Sequence, residues 1–190
     1  MFLINLGACT HDIPRLGLGG QYEGGKEEFM RGSAGDMDKG IVHLETVARD
    51  NPTYKDTLTL LGRAYYRKAR FEEAFAILQR ALAVKKDDEI AWLVLGAAQL
   101  RLNQNEKGLE AMRGGITLLG KASVHGYRSY PVWDSRGTIR ASIQRTAFFL
   151  AKGLESKEEI FSSLNTLLSR IDDEENYQRR ETYRRQKRDN

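Results

Sequence analysis

The sequence predicts an all-α fold: a short solenoid of helical hairpins closed by a C-terminal pair of capping helices. Three observations carry this expectation. A pattern of apolar and small residues recurs after thirty-four positions, with Leu58, Leu61, Gly62, Tyr65, Ala74, Leu78 and Ala81 returning as Trp92, Leu95, Gly96, Gln99, Gly108, Met112 and Gly115. A period of this length marks a unit of two short antiparallel helices that cannot bury its apolar face alone and must stack on its neighbours. Within each segment the apolar residues fall at three-and-four spacing, which places them on one helix face. Finally, no stretch reaches the roughly 18 consecutive apolar residues that a bilayer-spanning helix needs.

In the better-formed unit, Leu58, Leu61 and Tyr65 make the apolar face of a first helix, and Lys68-Ala69-Arg70-Phe71 supplies the turn. Ala74, Leu78 and Ala81 face back from the second helix. Gly62 costs about 1 kcal/mol in a helix interior, a cost justified if it lets the second helix approach closely. Counting back one period gives Gly40, Leu44, Val47 and Pro52, the second helix of an earlier unit. Its first helix would fall on the glycines near Gly24 and Gly25, so that unit is expected to be short or broken. Past Gly120, the segment with Tyr127, Tyr130, Pro131 and Trp133 reads as an ordered loop packed on the repeat core. A helix follows from about Asp134 or Ser135, with Ile139, Ile143, Ala147 and Leu150 at helical spacing, and Gly153 as its stop. Ser156-Lys157-Glu158-Glu159 has the form of a capping box, and Ile160, Leu164, Leu167, Leu168 and Ile171 form the face of the next helix.

The run Leu58-x2-Leu61-Gly62-x2-Tyr65, then Ala74-x3-Leu78 and Ala81, resembles the tetratricopeptide repeat, lacking only the family's Trp, Phe and distal Pro; Trp92 and Pro52 occupy two of those places in the adjoining units. The resemblance covers residues 33–120, about two and a half repeats. It implies binding of a protein or peptide partner, with the first helix of each unit lining the groove. The groove residues it implies are Thr59, Arg63, Tyr66 and Arg67 from one unit and Leu93, Ala97, Leu100 and Arg101 from the next. Asp56, Thr59 and Arg63 do not reproduce the Lys and Asn clamp with which some family members hold a peptide's carboxyl end. An apolar groove with a cationic margin suits an amphipathic helix or an extended segment, and the loop 121–134 is a competing occupant because large apolar patches are seldom left exposed. Short solenoids also gain stability by self-association, so a homo-oligomer is a further expectation.

Charge is distributed unevenly. The last fifteen residues carry Arg179, Arg180, Arg184, Arg185, Lys187 and Arg188 against Glu181 and Asp189, six cations less two acids, which equals the chain's whole net charge of +4. This basic tail, residues 176–190, follows the capping helices, 135–175, and the acidic run Asp172-Asp173-Glu174-Glu175. A folded basic stripe with interleaved aromatics is not evident, so nucleic acid is disfavoured as a partner and the tail reads first as a solvated helix end.

The sole cysteine lies in Leu6-Gly7-Ala8-Cys9, which resembles a bacterial lipobox; residues 1–9 would then be the remnant of a signal peptide and 10–32 a Gly-rich tether. The apolar stretch is short and no basic residue precedes it, departures that a start upstream of Met1 would explain. The resemblance implies a lipid on Cys9, attachment to a membrane and a periplasmic or extracellular position; without it the chain would be a cytoplasmic adaptor whose basic tail engages nucleic acid or another polyanion. One cysteine allows no intrachain disulfide, and His11, His43 and His125 have no metal-ligand spacing. No phosphate loop, H-E-x-x-H, G-x-S-x-G or C-x-x-C occurs. Glu72-Glu73 and Glu158-Glu159 fall at helix starts, where acids favour the dipole. A non-enzyme with no cofactor is expected.

Overall fold

The computed structural model describes residues 17–122, 127, 130 and 132–188, and these form eight α-helices: α1 (Leu18–Met30), α2 (Met37–Asp50), α3 (Thr57–Arg67), α4 (Phe71–Val84), α5 (Glu89–Arg101), α6 (Asn105–Ala122), α7 (Thr138–Lys152) and α8 (Lys157–Arg188). Consecutive helices pack as hairpins, α1 on α2, α3 on α4, α5 on α6 and α7 on α8, and the hairpins stack through α2 on α3, α4 on α5 and α6 on α7. The helical-hairpin solenoid expected from the thirty-four-residue period is therefore present. Gly62 lies where expected: a Cβ there would come within 2.5 Å of Leu78 Cγ.

The first hairpin differs from the expectation. Residues 18–30, assigned to a flexible tether, are a helix with Tyr22 and Phe29 buried, and the unit placed before Leu58 is complete rather than broken. Its glycines serve contact. A Cβ on Gly25 would stand 2.6 Å from Leu44 Cγ and 3.0 Å from the Gly40 carbonyl oxygen, so α1 and α2 cross closely only because that side chain is absent. Buried Tyr22 also reaches forward one repeat to donate a hydrogen bond to Asp56 at the start of α3; burial, and then the Asp56 charge, push its phenol pKa upward. Residues 1–16, including Cys9, lie outside the described residues.

The C-terminal part departs in two respects. The helix α7 begins at Thr138, not at Asp134 or Ser135, because Asp134 stands clear of it with φ +50° and uses its carboxylate to accept the backbone N–H groups of Ile139 and Arg140 at 2.9 and 2.8 Å. Gly153, at φ +74°, ends α7 as expected. The helix α8 does not stop near residue 175: the acidic run and the basic tail continue it as one helix of 32 residues, about 48 Å long. The loop aromatics pack as expected, with Tyr127 buried, its ring 4.5 Å from Trp133, and its hydroxyl donating to Glu89 at the start of α5.

Candidate functional site

The eight residues expected to line a partner groove all fall on α3 and α5, but most of them are not available. Leu93, Ala97 and Leu100 are fully buried, since α5 is apolar nearly all round and is packed between α4 and α6 with α3 beside it. Thr59 is buried and donates to the Asp88 carboxylate at 2.7 Å, bracing the side chain that caps α5 through Ala91 N–H at 2.9 Å. Arg63 is only 7% exposed, and Arg67, Tyr66 and Arg101 are turned toward α8.

The occupant of the inner face is α8, not the aromatic loop. Its buried stripe begins apolar, with Ile160, Phe161, Leu164, Leu167, Leu168 and Ile171, and turns acidic at Asp172 and Glu175 while keeping the same helical phase. Along that stripe α8 crosses the first helix of each repeat in turn. Arg101 of α5 lies over the Phe161 ring at 3.7 Å; Asp172 accepts from Arg63 and Arg67 of α3, both at 2.7 Å; Glu175 accepts from Lys26 of α1 at 2.5 Å. Phe29 completes the junction: both guanidiniums stack over its ring, and Arg67 also donates to its carbonyl oxygen at 3.1 Å. Burial, and then the neighbouring Arg63 charge, lower the Arg67 pKa, while Asp172 opposes the shift. Two guanidiniums on one buried carboxylate fix where α8 can sit, because any shift along its axis leaves a desolvated charge unpaired.

A groove lies open at the first hairpin's outer edge. Beyond Arg179, which lies 3.8 Å from Glu23, no described residue of α8 is buried. The exposed end of α8 and the flank of α1 enclose about 1180 Å³. One wall is a single face of α8 bearing Arg179, Arg180, Arg184 and Lys187, with Tyr183 68% exposed among them. The other wall carries Gly19, Gly20, Glu23, Glu27 and Met30. Four of the six cations of the basic tail are thus gathered on one wall; exposed Arg185 is not among the lining residues, and the Arg188 side chain lies outside the described ones. Among the described residues no cluster could hold a metal ion, and no helix is long and apolar enough to cross a membrane.

A stack of antiparallel helix pairs at a thirty-four-residue period, with small residues where each pair crosses, is the architecture of a tetratricopeptide-like solenoid. Residues 33–98 match the model of the tetratricopeptide repeat family. Among solved structures, the chain is similar in fold to two crystal structures of MamA. The first has a TM-score of 0.53 at 19% identity, covering 84% of this chain and 80% of that one; the second has 0.54 at 20%, covering 85% and 75%. A third structure, also of MamA, gives 0.52 at 16%, over 87% and 82%. At these identities the likeness is one of fold. No curated protein matches the chain in sequence.

Proposed function

We propose that the chain is a non-catalytic protein-interaction scaffold whose docking surface is the groove between α1 and the end of α8, and whose partner presents an acidic helical segment. The fold supports the scaffold part of this reading, as tetratricopeptide repeats characteristically bind proteins. The observation that carries the choice of surface is that α8 fills the inner face by pairing Asp172 with Arg63 and Arg67, while among the described residues nothing covers its own basic face beyond residue 176. Four cations on one wall supply electrostatic steering. Tyr183 supplies a large apolar contact, and the glycines opposite permit close approach of a helix. A second reading, a cytoplasmic adaptor whose basic tail engages nucleic acid or another polyanion, would use the same wall of cations.

The test is binding of a labelled, acidic amphipathic helical peptide. Arg180→Glu with Arg184→Glu is expected to weaken it at least ten-fold without changing the melting temperature, since both side chains are exposed. Unchanged affinity would remove the groove, and tighter binding of duplex DNA than of the peptide would favour the nucleic-acid adaptor. For location we propose a lipid anchor on Cys9, on the strength of Leu6-Gly7-Ala8-Cys9, which would hold the scaffold at the cell envelope. Intact mass of the native protein from membranes is expected to show a diacylglyceryl group on Cys9; an unmodified chain retaining Met1 would return it to the cytoplasm.

A further inference from the structure

A second cavity, of about 390 Å³, lies where α3 and α5 face the middle of α8, apart from the groove at α1. Its lining holds three guanidiniums, Arg63, Arg67 and Arg101, and no carboxylate. Asp172, just beside it, is the carboxylate bonded to Arg63 and Arg67, whereas Arg101 rests on the Phe161 ring. Among the described residues, two positive charges therefore remain uncompensated around one partly enclosed space. Moreover, Arg63 is more than nine-tenths buried, and its Nε is hidden from solvent with no hydrogen-bond partner. A buried donor left unmade is costly, so Arg63 is the least well satisfied of the three guanidiniums.

We propose that this cavity binds a phosphate-class oxyanion, either inorganic phosphate or the phosphate of a small monoester. A monoester at neutral pH carries close to two negative charges, which equals the uncompensated charge, and offers three acceptor oxygens. Guanidinium forks match such oxygens bidentately, which a single carboxylate ligand would use less fully. Asn165 and Ser169, on the exposed side of α8, add neutral donors at the rim.

Melting curves with inorganic phosphate, and with sodium chloride at equal ionic strength, test this directly. Saturating phosphate is expected to raise the melting temperature by about 3–6 °C beyond the chloride control, as a ligand bound only by the folded state must. Arg101→Gln leaves the Asp172 pairs in place and should reduce phosphate affinity at least ten-fold. Asn165→Asp, a change at an exposed position that brings a negative charge to the rim, should do the same even if Arg101→Gln proves poorly folded. Phenyl phosphate binding more tightly than inorganic phosphate would assign the site to a monoester, whereas equal affinities would assign it to the free ion. An equal rise with chloride, or unchanged phosphate affinity in Asn165→Asp, would overturn the proposal.

Discussion

Asp172→Ala is expected to destabilise the protein by about 3 kcal/mol, seen as a fall of about 6–12 °C in melting temperature. The residue is nearly buried and is the shared counter-charge of Arg63 and Arg67. Removing it leaves one guanidinium 7% exposed beside another that is 35% exposed, with no carboxylate to balance either. Solvent access to Arg67 keeps the expected loss at the lower end of the range for broken buried pairs. Asp173→Ala is the matched control: its neighbour on the exposed side of α8 should change stability by less than about 0.5 kcal/mol. If the two substitutions had equal effects in urea titrations, the pairing would not be what holds α8 against the repeats.

Gly96→Val is expected to cost about 3 kcal/mol through a different mechanism. A Cβ at Gly96 would lie 2.5 Å from the Gly108 carbonyl oxygen and 2.8 Å from the Met112 backbone nitrogen, so the obstacle is main chain and cannot rotate away. The third hairpin would have to open, with the loss that overpacking brings. Gly114, on α6, provides the contrast, since nothing lies within 4 Å of its added Cβ. Gly114→Ala should stabilise by about 1 kcal/mol, from helix propensity alone. Opposite signs for glycines on the same hairpin are what chemical denaturation should report.

The second and third hairpins were legible in the sequence because their marks are local. Leu58, Leu61, Gly62 and Tyr65, and their counterparts from Trp92, sit at fixed spacing within single helices. The helix α1 was not legible. Six of its first eight residues, Gly19, Gly20, Gln21, Glu23, Gly24 and Gly25, are glycine or polar, and glycine reads as a tether until the partner helix is known; only Tyr22 and Phe29 betray a buried face. The groove residues show the opposite failure. The repeat placed Arg63, Leu93 and Leu100 on the correct inner helices, but what covers them lies up to 109 residues away, in the Arg63 to Asp172 pair. One signal was available. Asp172 and Glu175 continue the helical phase of Ile160, Leu164, Leu167, Leu168 and Ile171, and acids in register with an apolar face indicate buried partners more than a solvated run. The groove between α1 and the end of α8 had no local signal beyond the basic tail, because one of its walls belongs to a segment read as unstructured.

Amide hydrogen exchange on the intact chain, with and without the acidic helical peptide, tests the central claim most directly: that α8 occupies the inner face of the repeats and leaves its basic end free to dock a partner. Residues 160–175 are expected to exchange as slowly as α3 and α5, and residues 177–187 quickly until the peptide protects them. Rapid exchange across residues 160–175 while α3 and α5 remain protected, or peptide-induced protection on α3 and α5 instead of the α8 end, would contradict it.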